Sequence, residues 1–389
     1  MNSSRRILSI NSGSSSLKFS VHRLPAEQLE ISGSLSRIGQ SSGSFQVKNG
    51  HGEKIHDDQL AIADHAAALK ILLDSLGGSD KPDAIGHRVV HGGPQFTAPQ
   101  IVNPDLLAAL KALAPLAPNH LPREIAAIEA ISRIYPATPQ VACFDTAFHR
   151  GMPEVAQVYA LPEPVRRDGM VQRYGFHGLS YEYIAGELER IGLGSGRAIV
   201  CHLGNGASMA ALRDGKSVET SMGFTPTGGI VMSTRCGDID PEAVLYLIEV
   251  KRLEPAAVRD ALTSSGGLLG LSGSSGDMQD LHRKEASDPK AALAIAVFCY
   301  SARKALGALA AVLGGLDTIV FTGGIGENDA AVRGRICEGF GFLGIRLDSS
   351  RNAAGEAIIS EDDARVMVRV MKTNEELMIA RHTAALSGR

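Results

Sequence analysis

The chain has 389 residues, 44% of them hydrophobic, and a net charge of −3 from 39 basic and 42 acidic side chains. That length exceeds what one hydrophobic core serves, so two domains are expected; the balanced charge, with no long block of one sign, argues against nucleic acid and against an anionic membrane as partners. The five cysteines (Cys143, Cys201, Cys236, Cys299, Cys337) are scattered, with no C-x-x-C pair and no histidine at zinc spacing, and read as reduced thiols of a cytoplasmic protein.

Arg5 and Arg6 precede "ILSINSG", whose apolar run breaks at Ser9 and Asn11, too soon for a secretory signal. The short β-branched runs "ILSIN" and "LKFSV" read as strands around the turn "NSGSSS", and a third run lies near "GSFQVKNG". A helix is expected from about Ala61 to Leu76, then a strand at "DAIGHRVV". Asn103 caps a helix with Pro104 in its first turn and Leu106, Leu107, Leu110 and Leu113 along it. Pro122 opens another bearing Ile125, Ile128 and Ile131, and a strand follows at "PQVACFDT".

Near residue 150 the order restarts: "AIVCHLGNGASMAAL" repeats strand, Gly-rich turn and strand, and Asp214 with Gly215 makes a hairpin turn. Helices are expected after Asp240 and Pro241 and over 290–313, then a strand "DTIVF" running into "TGGIGEN". The apolar stretch around 290–313 carries Arg303 and Lys304 in its middle, which makes it a buried helix and not a membrane span. Thr373 and Glu376 have capping-box spacing for a closing helix, leaving Glu375 without a structural task. Strands alternating with helices in both halves argue α/β.

Three Gly-rich turns follow expected strands: "NSGSSS", "HLGNGAS" and "TGGIGEN". Each offers backbone N–H groups free of side-chain bulk, the arrangement that cradles phosphate oxygens, and Lys18 stands behind the first. Together they suggest a nucleotide lying between two domains. "GKS" at Gly215 to Ser217 imitates the end of a Walker A loop, but the first required glycine falls at Ala210, so the hairpin reading stands. Arg88 in "GHRVVHGG" and Arg235 in "STRCGDIDP" offer forked donors for carboxylate or phosphate, or a surface ion pair. Asp145 in "CFDTAFH" is a metal-holding or orienting carboxylate, or a helix cap; His177 in "RYGFHGLS" is a functional or a structural histidine.

These motifs, with "PLAP" and "TNEELMIA", stand in an order and spacing that resembles the acetate kinase family, within the superfamily of acetate and sugar kinases, chaperone ATPases and actin. The resemblance implies two duplicated actin-like (ribonuclease H-like) domains, residues 1–147 with 375–389 and residues 148–374, with a nucleotide cleft between them and homodimerisation through the second. It implies reversible transfer of the ATP γ-phosphate to acetate, giving acetyl phosphate and ADP, with magnesium or manganese as the metal. Asn11 and Glu375 would be the metal-site residues, and Lys18, Ser14 and Ser16 contacts to ATP phosphates, with Ser15 shaping the turn. Arg88 would hold the substrate carboxylate, with Val90, Phe176 and Pro226 against its methyl group. Asp145, His177 and Arg235 would be catalytic, the last two stabilising the phosphoryl group. His202, Leu203, Gly204, Asn205 and Gly206 would line the nucleotide with Gly323, Gly324, Ile325, Gly326 and Glu327, while Asp277, Met278 and Gln279 would lie near adenine.

Three positions depart from the family's usual reading: Asn119 in "PLAPNHLP", "TPTGG" at 225–229 and Gln279 in "DMQ". An amide at the pocket wall makes propionate or another short acid a competing substrate, since one methylene is worth only about 1–3 kcal/mol. Gln279 removes a charged plane beside the purine. A non-catalytic ATP-binding scaffold is the reading of another class, and it would need neither arginine. A carboxylate substrate with a pKa of about 4 to 5 arrives ionised and needs no general base, so Asp145 is expected to organise metal, water and arginines and not to carry a proton.

Overall fold

A computed structural model describes residues 4–13, 16–76 and 81–388; the expected phosphate contact Ser14 and the turn residue Ser15 lie outside the described residues. The chain forms two compact units, Met1–Phe148 with Asn374–Arg389 and His149–Thr373.

The first unit is built on an eight-stranded sheet: β1 (Arg5–Ser12), β2 (Ser16–Leu24), β3 (Gln28–Ser36), β4 (Gly43–Asn49), β5 (Lys54–Leu60), β6 (Ala84–Val89), β7 (Gln100–Ile101) and β8 (Gln140–Phe144), in the spatial order β5-β4-β3-β2-β1-β6-β8-β7. β1, β2 and β3 pair antiparallel, while β1 with β6 and β6 with β8 pair parallel. β1 is buried from Arg6 to Ser12 because helices cover both faces. Leu8 and Ile10 share a core with Leu69, Leu72 and Ile131, from the helices His65–Ser75 and Leu121–Ile134. Ile7 points the other way, to a cluster with Leu24, Ala84 and Ala380 of the helix Glu375–Ser387. That last helix lies close against β6 at Gly86, where a Cβ would come within 2.1 Å of Thr383 Oγ1.

The second unit repeats the arrangement. Its five strands, β9 (Arg197–Leu203), β10 (Ala207–Arg213), β11 (Lys216–Thr220), β12 (Thr318–Thr322) and β13 (Met367–Val370), lie in the order β11-β10-β9-β12-β13. β9, β10 and β11 are antiparallel, and β12 is parallel to both β9 and β13. This is the pattern of β3-β2-β1-β6-β8 strand for strand, so the fold is a duplicated actin-like, ribonuclease H-like α/β unit. The segment "GKS" lies at the turn into β11 and leads to a strand, as the hairpin reading requires, with Asp214 and Gly215 both at positive φ. The helix Pro289–Leu313 buries Ile295, Phe298, Ala302, Leu306 and Leu309; among the described residues it is the one helix long and apolar enough to cross a membrane.

Two strands were not expected, and the cap of the closing helix needs correction. The strands β3 and β5 were not visible as apolar runs: "EISGSLS" carries serine and glycine, and β5 is an exposed edge strand. The closing helix is capped by Asn374, whose side chain accepts from Leu377 N at 3.0 Å, and not by a Thr373–Glu376 box. Thr373 Oγ1 instead accepts from Ser180 Oγ at 2.8 Å, and Glu376 turns toward Asn11.

Candidate active site

In the first unit the site grows from the ends of three neighbouring strands. Asn11 is the penultimate residue of β1, Arg88 lies near the end of β6, and Asp145 follows β8, so adjacent strand ends bring the three side chains together. Asp145 is wholly buried, and its Oδ2 accepts from Arg88 Nε at 3.0 Å and Nη2 at 2.5 Å. The remaining arm, Nη1, reaches Asn11 Oδ1 at 3.3 Å. Burial alone would lower the Arg88 pKa; Asp145 and Glu375 outweigh it and raise it, so the guanidinium stays charged. Asp145 is thus a partner of Arg88 and not the helix cap considered above; the short 3₁₀ turn nearby begins at Ala147.

Asn11 faces the start of the closing helix. Its Nδ2 donates to Glu375 Oε2 at 2.7 Å and to Glu376 Oε1 at 3.2 Å, while Ser9 Oγ donates to the Glu376 carbonyl at 2.7 Å. Burial and the neighbouring Glu375 charge raise the Glu376 pKa, with Lys18 and the Asn11 bond working against them. Two carboxylates crowded on one amide form a pair of hard-oxygen ligands whose mutual repulsion a divalent cation would relieve, so these residues fit a divalent metal. Among the described residues no cluster of three or more His, Cys, Asp or Glu is poised for a metal. Lys18 stands opposite Asn11 in the β1–β2 register, and lines a cavity of about 420 Å³ together with Glu376, Ser34 and Lys48. Ser16 opens β2, its carbonyl accepting from Gly13 N at 2.8 Å.

Val90 is buried just beyond β6, and its N–H donates to Glu124 Oε2 at 3.0 Å. Glu124 was not singled out by sequence, yet it is 2% exposed, and burial pushes its pKa up to about 8 against the pull of Arg88 and the Val90 N–H. The signal was available, because Glu124 sits on the same helical stripe as Leu121, Ile128 and Ile131. Asn119 is exposed in the turn before that helix.

The second unit carries a histidine pair. His177 holds the left-handed conformation, φ +59°, at the start of the helix Gly178–Arg190, a position uncommon for a residue with a side chain and typical of functional sites. Its Nδ1 meets Ser208 Oγ at 2.8 Å, and Ser208 in turn meets Tyr181 Oη at 2.5 Å. The ring stacks on His202 with centroids 4.3 Å apart, and His202 Nδ1 is held by Ser180 Oγ at 2.8 Å. Both rings are therefore fixed at Nδ1. Arg235 is anchored by Nη1 to the Pro226 carbonyl at 2.8 Å. Gly206 lies beside both groups: a Cβ there would be 3.2 Å from His177 Nε2 and 3.6 Å from Arg235 Nη1. Sequence reading found the histidines and Arg235 but not Ser180, Tyr181 and Ser208, which hold them.

The two Gly-rich segments of this unit meet. A Cβ on Gly323, at φ +77°, would strike the Leu203 carbonyl at 2.8 Å, and one on Gly204 would be 4.0 Å from Gly324 N. "TGGIGEN" forms a short helix, Gly323–Asn328, directly after β12. Glu327 ties it down, its Oε1 accepting from Gly323 N at 3.0 Å and Thr373 N at 3.4 Å. Leu203 and Met278 are buried, as are Phe176 and Pro226, whereas Asn205 and Gln279 are exposed. Asp277 caps the helix Met278–Lys284, accepting from Gln279 N at 2.8 Å. Ile325 and Gly326 lie within the Gly323–Asn328 turn.

Comparison with known proteins follows this geometry. The profile of the Acetokinase family matches residues 6–381. An acetate kinase of Rhodopseudomonas palustris is 44% identical over 394 residues, covering 98% of each chain. Among solved structures, a propionate kinase from Francisella tularensis superposes with a TM-score of 0.90 at 36% identity, covering 98% of this chain and 99% of the other. The acetate kinase of Porphyromonas gingivalis gives 0.86 at 35% identity, with the same coverage. With a full-length profile match and relatives of this identity, the chain belongs to the acetokinase family.

Proposed function

We propose that this protein is an acetate kinase that reversibly transfers the γ-phosphoryl group of ATP to acetate, giving acetyl phosphate and ADP, with magnesium as the metal. The observation that carries the reading is the buried Arg88–Asp145 pair, with Asn11 on its third side. Arg88 binds the acid carboxylate, and Val90, Phe176 and Pro226 take its methyl group.

In phosphoryl transfer the protein aligns the reactants and neutralises charge that spreads over the equatorial oxygens. The acid is ionised at neutral pH and attacks without losing a proton. Asp145, with one oxygen committed to two Arg88 donors, fixes the guanidinium so that its face toward the substrate does not wander. His177 and Arg235, rigid through Ser208 and the Pro226 carbonyl, stabilise the phosphoryl group in flight. Asn11, Glu375 and Glu376 would hold the metal, and a divalent ion there would supply positive charge to offset the phosphate oxygens of ATP. Lys18 and Ser16 serve the phosphates; His202, Leu203, Gly204, Asn205 and Gly206 line the nucleotide, along with Gly323 to Glu327. Asp277, Met278 and Gln279 lie on the adenine side.

A propionate kinase is the second reading, favoured by Asn119 in place of an apolar wall residue and by the fold shared with the Francisella protein. Free cysteines throughout support a cytoplasmic enzyme, and a second-unit helix without a buried residue supports a homodimer. The deciding experiment traps acyl phosphate with hydroxylamine in the presence of ATP, magnesium and acids from formate to butyrate. Acetate is expected to give the highest kcat/KM. A maximum at propionate transfers the name, and no hydroxamate with any acid refutes the kinase.

A further inference from the structure

Glu124 is a buried acid that the reaction as described does not use. It rises from the first turn of the helix Leu121–Ile134 and reaches the stretch just after β6, where Oε2 accepts from Val90 N at 3.0 Å. Its other oxygen, Oε1, is buried and meets no hydrogen-bond partner among the described residues. A carboxylate left half-solvated in such a place is costly, whereas the neutral acid forgoes at most one hydrogen bond. The charged groups acting on it are Arg88 from β6 and Asp145 from beyond β8, of opposite sign to one another. Arg88 therefore has Asp145 as its bonded carboxylate partner, with Glu375 and then, more weakly, Glu124 as further acids in its field.

We propose that Glu124 is a positioning residue that sets the alkaline limit of acid binding: as a neutral carboxylic acid it holds the Val90 amide and leaves Arg88 to the substrate carboxylate, and on losing its proton it competes with that carboxylate for Arg88. The inference rests on Arg88 being the acid-binding residue. Substrate and ionised Glu124 are like charges sharing one cation, so binding the acid draws a proton onto Glu124, and raising the pH drives the acid off.

The test measures KM for acetate at pH 7 and pH 9, at saturating ATP and magnesium, by hydroxamate trapping. With a Glu124 midpoint of about 8, wild-type KM is expected to rise up to about tenfold across that interval. In Glu124→Gln, which keeps an acceptor for Val90 N–H and cannot ionise, the rise is expected to stay under about twofold. An equal rise in the variant overturns the inference while leaving the kinase reading intact; failure of the wild type to form acyl phosphate from any acid at pH 7 overturns both. Should Glu124→Gln not fold, calorimetric titration of the wild type with acetate at pH 8, in two buffers of different ionisation enthalpy, carries the same decision. About half a proton taken up per acid bound supports the role, and no uptake removes it.

Discussion

Asp145 has no exposed surface and gives one oxygen to both Nε and Nη2 of Arg88, so its loss is felt first as a disordered arginine. Asp145→Asn is expected to lower kcat/KM for the acid by at least about 100-fold, the scale of about 3 kcal/mol for breaking a buried pair. The pH profile of the residual activity should keep its shape; a profile that lost one ionisation would restore the general-base role. Glu124 gives a stability prediction with a defined sign. Its folded pKa of about 8 exceeds the ordinary 4.5, so the native state retains a proton the unfolded chain has released, and stability falls as pH rises between those values. Glu124→Gln should therefore gain in Tm relative to the wild type on going from pH 5 to pH 8, in paired thermal melts. At this scale the sequence showed the charged residues with a conspicuous setting, Arg88, Asp145, His177 and Arg235. It hid Glu124 and Ser208, whose importance comes from neighbours distant in the chain.

The Gly-rich turns separate into two kinds once their surroundings are known. Gly206 keeps an ordinary backbone and stands clear for the His177 and Arg235 side chains, whereas Gly323 has φ +77° and presses on the Leu203 carbonyl. Gly206→Ala should leave the unfolding free energy within about 1 kcal/mol of the wild type and reduce kcat by an order of magnitude or more, by crowding His177 Nε2. Gly323→Ala should instead destabilise by about 1–3 kcal/mol, read by denaturant unfolding, because the turn itself must shift. A kcat loss without a stability difference between the two would remove this distinction. Elements with strong local signals, such as the Asn103-capped helix and the Asp214–Gly215 hairpin, were legible from sequence. β3 and β5 were not, since what makes them strands is the β4 between them and not their own apolar content. The closing helix was misread by one residue at its cap, and that single step decides whether Glu376 serves the backbone or faces Asn11.

For the whole molecule, the duplicated topology would divide the proposed chemistry: Arg88, Asp145, Asn11 and Glu375 belong to the first unit, His177 and Arg235 to the second. The helix Pro241–Glu249 of the second unit buries none of its residues, although it presents Leu245 and Tyr246 at 43% and 48% exposure. On the homodimer proposed above this helix would supply the contact, and Tyr246→Glu is then expected to shift the protein from dimer to monomer in sedimentation equilibrium. An unchanged dimer would locate the contact elsewhere.

The first unit is not contiguous in the chain: it ends with the helix Glu375–Ser387, which covers Ile7 and Ala84 and brings Glu375 and Glu376 to Asn11. On the ribosome this imposes an order of events. The sheet that begins the protein is synthesised with that face bare, and the whole of the second unit is made before the helix that seals it exists. A nascent chain stalled anywhere in the second unit would therefore carry an open apolar sheet face, with Asn11 still lacking Glu375 and Glu376, a ready substrate for chaperone capture. On the proposed reading, activity would begin only once that helix has been made and has docked.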